Sequence, residues 1–191
     1  LLEPAETKPV IEVRDDGGKI TNGKITAEIN LIGKITFTNQ KGEVLLEEYV
    51  RSRKDLFGPT CSSLEVEARE FKPIIGGDYK LSMRFVSEPN EKLYGMGQYQ
   101  QDFLELKGAD LELAHRNSQA SVPFLLSSLG YGFLWNNPAV GRVNFGKNIT
   151  TWEAYSTKKL DYWITAGDTP AEIEEAYADA TGKVPMMPDY G

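Results

Sequence analysis

From Val10 to Val50 the chain is interrupted by a turn signal every few residues, and this punctuation constrains the fold more than any other feature. The β-rich runs IEVR, KIT, KITAEINL, KITFT and EVLLEEYV alternate with DDGG, NG, IG and NQKG. Short runs of this kind separated by tight turns read as an antiparallel meander. Asn22-Gly23 is the strongest hairpin signal, because both residues tolerate the positive φ of a type I′ turn. In KITAEINL the period is two: Ile25, Ala27, Ile29 and Leu31 share one face, and Thr26, Glu28 and Asn30 the other. That alternation predicts a strand with one face buried.

Arg51 to Pro59 is polar and breaks the rhythm, after which SLEVEAREF, YKLSMRFV and PFLLSSLGYGFLWN supply further strand-like segments. Strands spaced by turns along the chain predict an all-β protein, an antiparallel β-sandwich. One segment differs. Thr169-Pro170-Ala171-Glu172 has capping-box spacing with proline at the first helical position, and Ile173, Ala176, Tyr177 and Ala180 follow at helical spacing. The spacing predicts a single helix over Pro170 to Thr181, stopped by Gly182. Beyond it Pro185 and Pro188 bracket two methionines in an extended, stiffened segment. The expected organisation is a sandwich domain over 1–182 and a linker over 183–191.

Composition excludes several functions. The 191 residues suffice for one sizeable core but not for a sandwich plus a (β/α)8 barrel of about 250 residues. The net charge is −7, from 28 acidic and 21 basic residues, and the cations are scattered, which argues against nucleic acid as a partner. A lone cysteine, Cys61, permits neither an intrachain disulfide nor a thiolate zinc site, and reads as a small buried or half-buried apolar residue. A lone histidine, His115, leaves no second imidazole for a two-His metal site, and no nucleophile elbow accompanies it. No cofactor is expected. No apolar run is long enough to span a membrane, and LLEPAETKPV lacks a signal-peptide layout, so a soluble chain of open compartment is expected.

Three groups of residues invite a chemical reading. Leu93-Tyr94-Gly95-Met96-Gly97-Gln98 contains G-x-G, but the third glycine of a dinucleotide loop and its βαβ setting are missing. A bulged or sharply bent strand, with backbone approaching backbone, fits better. The paired carboxylates are poorly placed for glycoside hydrolysis: Asp15-Asp16 reads as a turn, Glu47-Glu48 as strand neighbours on opposite faces, and Glu174-Glu175 as the exposed side of the helix. Trp135 and Trp152 suit either a core or a sugar-stacking platform, with strand context favouring the core. The segment Asp102 to Ser121 mixes acids, amides, His115 and Arg116, and reads as a connection between strands.

EKLYGMGQ, the run Val122 to Pro138 with its P-F-x-x-S-x-x-G-Y-G core, and LDYWITAGDTP followed by T-G-x-P-x-x-P occur in an order that resembles the N-terminal β-sandwich of glycoside hydrolase family 31, the α-glucosidases and α-xylosidases. The detailed likeness covers Glu91 to Gly191. It implies a galactose mutarotase-like sandwich and, beyond the linker, a catalytic (β/α)8 barrel of the same chain. It also implies a retaining mechanism on an α-linked oligosaccharide, carried by two barrel aspartates, so that these 191 residues alone would be inactive. In that family a sandwich loop reaches over the barrel mouth and offers a polar residue to the sugar, often an aspartate within Asn-Arg-Asp. The nearest match here is His115-Arg116-Asn117, without the aspartate; its guanidinium and amide suit paired hydrogen bonds to vicinal hydroxyls. The resemblance thus makes His115, Arg116 and Asn117 the substrate-binding candidates, with a solvated loop as the plain reading. The alternative for the whole chain is a stand-alone carbohydrate-binding or structural sandwich.

Overall fold

The computed structural model describes residues 1–2, 8–51 and 64–190. Cys61 and most of the polar stretch after Arg51 lie outside them. Fourteen strands precede one helix: β1 (Val10–Arg14), β2 (Gly17–Asn22), β3 (Ile25–Asn30), β4 (Ile35–Asn39), β5 (Val44–Glu47), β6 (Arg69–Pro73), β7 (Tyr79–Val86), β8 (Leu93–Gln98), β9 (Asp110–Leu113), β10 (Ala120–Ser127), β11 (Tyr131–Trp135), β12 (Gly141–Phe145), β13 (Ile149–Thr157), β14 (Tyr162–Ala166) and α1 (Pro170–Thr181).

The strands form three sheets in the orders β1-β2-β3-β4-β5, β6-β7-β13-β12-β9 and β14-β11-β10-β8. Their pairings are antiparallel; the first sheet is a meander of short strands joined by tight turns, whereas the other two also pair strands distant in sequence, such as β7 with β13. An isolated Glu48–Phe85 bridge, with the Tyr49 N–H donating to the Arg84 carbonyl at 3.0 Å, ties β5 to β7. The two five-stranded sheets therefore continue into one layer, and the four-stranded sheet is the layer facing it.

Between the layers lies a core in which alternate residues of each strand point inward: Leu81, Met83 and Phe85 of β7, Trp152 and Ala154 of β13, and Val143 and Phe145 of β12. From the facing sheet come Leu125, Tyr131, Phe133 and Trp135. Trp135 and Trp152 stack with centroids 5.8 Å apart, and Phe133 meets Phe85 edge-on at 5.5 Å. Both tryptophans are buried, which sets aside the sugar-platform reading.

The helix covers the outer face of the four-stranded sheet. Ile173 is buried against Phe124 and Leu134, a burial that stabilises the contact by about 1.5–3 kcal/mol, and Tyr177 stacks on Phe124 at 4.0 Å. Its ends follow the sequence rules. Thr169 Oγ1 accepts the Glu172 N–H at 3.3 Å, and the Gly182 N–H donates to the Ala178 carbonyl at 2.8 Å. The Glu172 carboxylate reaches back to the Asp168 N–H at 3.0 Å, one residue before the N-cap.

The structure corrects four local expectations. The β2–β3 loop is Gly23-Lys24, closed by an Asn22–Ile25 pair; Gly23 at φ 59° occupies the first central position, as in a type II′ turn, one residue later than the Asn-Gly reading. SLEVEAREF enters a strand only at Arg69, with Val66 held by a single bridge to Arg51. The segment Asp102 to Ser121 is not wholly a connection, because Asp110–Leu113 pairs with β12 and buries Leu111 and Leu113. Finally, Ile29 and Leu31 are exposed, so the apolar face of β3 is buried only at its Ile25 and Ala27 end.

Candidate functional site

β9 and β10 leave between them a short tip, Ala114 to Gln119, and the three candidate residues sit on it. His115, Arg116 and Asn117 are all exposed. Arg116 and Gln119 form an antiparallel bridge with the Gln119 N–H donating to the Arg116 carbonyl at 3.2 Å, and Gln119 Nε2 donates to the Ala114 carbonyl at 2.9 Å. The Arg116 guanidinium pairs with the Glu112 carboxylate. His115 and Asn117 make no side-chain hydrogen bond among the described residues.

The base of the tip is fixed by a residue the sequence did not single out. Tyr99 donates its hydroxyl to the Glu112 carbonyl at 3.0 Å and shares a 2.7 Å hydrogen bond with Ser121 Oγ, so it spans β9 and β10 just below the tip. Burial, more than any other influence, pushes its phenol above the ordinary value, keeping the hydroxyl protonated and able to donate. Tyr99 is placed by β8, whose last residue Gln98 pairs with Ala120. Phe103 and Leu104, on the connection that leaves β8 at the same end of the sheet, are also exposed.

β8 reaches this point through a bulge. Gly95, Met96 and Gly97 have φ of 102°, 70° and 89°, and the register against β10 shifts between Ser121 and Leu125. A Cβ on Gly95 would lie 2.6 Å from the Phe124 carbonyl oxygen, and one on Gly97 2.3 Å from that of Ala120. Glycine is therefore required at both positions. Met96 adopts left-handed backbone without being glycine, and its side chain is fully buried in the core.

The other end of β8 is anchored by a buried carboxylate cluster. Glu91 Oε1 accepts Ser127 Oγ at 2.6 Å and the Tyr131 hydroxyl at 2.7 Å, while Oε2 lies 3.1 Å from Lys107 Nζ. Burial and the adjacent carboxylate hold the Tyr131 phenol well above its ordinary range. A second buried carboxyl, Glu48, accepts the Ile35 N–H on Oε2 at 2.9 Å and has Arg69 Nε 3.2 Å from Oε1, out of line for a hydrogen bond. Burial raises its pKa, and Tyr162 beside it is pushed up to about 12, chiefly by its own burial.

The remaining polar side chains mostly satisfy each other on the surface. Asp15 and Asp16 form a turn, Glu47 pairs with Lys34 on the face opposite Glu48, and Glu174 and Glu175 face solvent. A hollow of about 290 Å³ on the outer face of β9, β12 and β13 holds Asp110, bound to Arg142 and, at 3.1 Å, to Asn144, with Glu153 held 2.8 Å from Lys80. Among the described residues no three His, Cys, Asp or Glu side chains gather in a group able to hold a metal ion, and no helix is long and apolar enough to cross a membrane.

Comparison with known proteins places this architecture. The profile of the glycosyl hydrolase 31 N-terminal galactose mutarotase-like domain matches residues 2–144. An uncharacterized family 31 glucosidase of Pseudescherichia vulneris is 52% identical over all of this chain, which spans 37% of that protein. Alpha-xylosidase A of Aspergillus niger is 34% identical over 60% of the chain and 16% of its own length. A GH31 α-xylosidase from a soil metagenome, complexed with xylose, superimposes on the whole chain with a TM-score of 0.95 at 55% identity, and this chain covers 29% of it. The chain thus spans about a third of the length of the relatives that match it throughout. With its sheets, its bent β8 strand and its terminal helix, it belongs to glycoside hydrolase family 31, as that family's N-terminal galactose mutarotase-like domain.

Proposed function

We propose that these residues form the non-catalytic sandwich of a retaining α-glycoside hydrolase acting on α-xylosides or α-glucosides, and that the β9–β10 tip closes one side of its sugar pocket. The catalytic carboxylates belong to a barrel of the same polypeptide outside these residues. The observation that carries the role of the tip is its construction: Arg116 and Asn117 are solvent-facing donors on a turn between the two sheets, and Tyr99 ties together the strands β9 and β10 that flank it. Donors held in this way lose little entropy on meeting vicinal hydroxyls, which is what a pocket wall requires. The α-xylosidases among the relatives support a pentoside as substrate. A stand-alone sugar-binding module is less well supported, because Trp135 and Trp152, its natural stacking surfaces, are buried in the core.

The test is kinetic, in the longer protein that carries this domain. Loss of one charge-assisted hydrogen bond to a buried hydroxyl costs about 1.5–3 kcal/mol and of a neutral one about 0.5–1.5 kcal/mol, so Arg116→Ala is expected to lower kcat/KM by at least about tenfold, and Asn117→Ala by about two- to tenfold, on nitrophenyl α-xyloside or α-glucoside. The melting temperature should barely move, since neither side chain enters the core. Wild-type kinetics in both variants would leave the tip a solvated turn.

A further inference from the structure

The N-terminal sheet carries its apolar face past the edge of the core. Residues paired across strands share a face, and the registers place Ile11, Ile20, Ala27, Phe37 and Leu46 in one row across β1 to β5. Val13, Gly18, Ile29 and Ile35 form the next row on the same side. Burial falls away along both rows. Phe37 and Leu46 are buried, and Ala27 and Ile35 pack on the core, but Ile20 and Ile29 are each 41% exposed, Ile11 64% and Val13 87%. Together they line an open groove of about 410 Å³.

The reverse face of the same strands is charged. Glu12, Lys19, Glu28, Thr36 and Glu47 form its row, with Lys19 3.1 Å from Glu12 and Arg14 3.7 Å from Glu28. Such two-sidedness belongs to a sheet with one face in water and the other in a core. Here the facing layer, four strands against ten, stops short. It meets the N-terminal sheet at Phe37, whose ring lies 6.3 Å from that of Tyr162, whereas Ile11, Val13, Ile20 and Ile29 stay exposed.

We propose that this bare face is covered, in the protein that carries these residues, by another segment of the same polypeptide, which extends the facing layer and closes the sandwich over β1 to β3. The occupant follows from three observations. The bare rows continue core rows without a break, so their natural cover is more of the same core. The groove is lined mainly by isoleucine, valine, alanine and glycine, and the side chains of Glu12, Lys19 and Glu28, which also border it, belong to the reverse-face row, so it suits packing side chains and offers a sugar few donors. The relatives supply the material: this chain amounts to 37% of the P. vulneris protein and 29% of the soil-metagenome xylosidase. A second copy docking on four aliphatic side chains would fall well below the roughly 800 Å² per partner of a stable interface. The inference rests on the family reading above and adds which surface the remaining polypeptide occupies.

The experiment is thiol labelling of Val13→Cys and Ile20→Cys in the longer protein, read peptide by peptide by mass spectrometry, with Gln40→Cys in an exposed turn as the reference. Both sites are expected to label at least about tenfold more slowly than the reference, a protection set by local opening. That protection should survive about tenfold dilution of the protein, as an intramolecular contact must. Labelling at the reference rate overturns the proposal. So does protection that disappears on dilution, which would mark a second copy, or protection that appears only when an α-xylosyl oligosaccharide is added. Should the variants fail to fold, hydroxyl-radical footprinting of the wild-type side chains Ile11, Val13, Ile20 and Ile29 decides in the same way, with modification at the rate of the fully exposed Ile75 as the overturning result. Labelling reads burial of β1 and β2 and the kinetics of Arg116→Ala read the tip, so either can fail without the other.

Discussion

Replacing Glu91 by alanine should remove more stability than any change at the surface of this domain. The carboxylate is buried and serves three donors: Ser127 Oγ at 2.6 Å, the Tyr131 hydroxyl at 2.7 Å and Lys107 Nζ at 3.1 Å. Lys107 keeps two other acceptors, Ser87 Oγ and the Glu88 carbonyl, each at 3.0 Å, so it is not stranded. The two hydroxyls are more exposed to the loss, since Ser127 and Tyr131 are themselves buried. Breaking a buried ion pair costs about 3–5 kcal/mol, and each unsatisfied hydroxyl about 1–3 kcal/mol, in contributions that overlap. We take about 4 kcal/mol for Glu91→Ala. Glu91→Gln keeps a carbonyl acceptor for the hydroxyls and loses only the charge facing Lys107, for about 1.5–2 kcal/mol. In urea, with a slope of about 2 kcal/mol/M, the midpoints should fall by about 2 M and about 1 M at unchanged slope. Equal shifts in the two variants would show that the hydroxyls contribute nothing. A shift under about 0.5 M for Glu91→Ala would refute the cluster as a structural unit.

Gly97→Ala should cost more than about 2 kcal/mol in the same assay, because its Cβ would meet the Ala120 carbonyl oxygen at 2.3 Å on backbone already at φ 89°; a loss under about 1 kcal/mol would mean the bulge relaxes freely. Lys24 lies 2.6 Å from Asp168 and 2.7 Å from Glu172, and its hydrogen bonds lower both carboxyl pKa values. The clamp should therefore stabilise fully above the ordinary 3.8 and 4.5 of these carboxyls and be lost as pH falls through their depressed values, so the melting temperatures of wild type and Lys24→Met should differ at pH about 7 and converge in acid. Glu48 has the opposite sign, since burial raises its pKa above 4.5 and ionisation costs the folded state. The margin of wild type over Glu48→Gln should accordingly shrink as pH rises from the ordinary 4.5 through the raised value, measured as urea midpoints; a constant margin would place the carboxyl in contact with water.

Local pattern carried much of this fold, and its failures share a cause. The helix ends where Thr169, Pro170 and Gly182 put them, because caps act within one turn and need no distant partner. The loop Ser128-Leu129-Gly130 is equally local, closed by the Ser127–Tyr131 pair with Gly130 at φ 88°. β9 was hidden because Asp110–Leu113 offers only two inward leucines, and it is a strand by virtue of the edge that β12 presents to it. The exposure of Ile29 and Leu31 was equally unreadable, since period two reports which residues share a face and not whether anything covers that face. At the tip, Arg116 and Glu112 lie four apart across the end of a strand, where no helical spacing rule would pair them. Tyr99 reads in sequence as one more aromatic after a glycine-rich run; its two hydrogen-bond partners are 13 and 22 residues away.

β8 links the tip to the core. At its start, Glu91 is fixed inside the core, and the Lys92 N–H donates to Ser128 Oγ at 2.9 Å. In its middle, three consecutive residues at positive φ turn the strand, with Met96 pinned in the core so that the bend cannot straighten without exposing it. At its end, Gln98 pairs with Ala120, and the next residue, Tyr99, hydrogen-bonds to both β9 and β10. A displacement of the core end would thus be passed to Arg116 and Asn117 through backbone with few soft torsions, since each link is a buried group or a paired strand. The same glycines that no side chain can replace are then what aims the tip, which is why a substitution at Gly97, distant in chemistry from any sugar, should move the position of Arg116 as well as the stability of the fold.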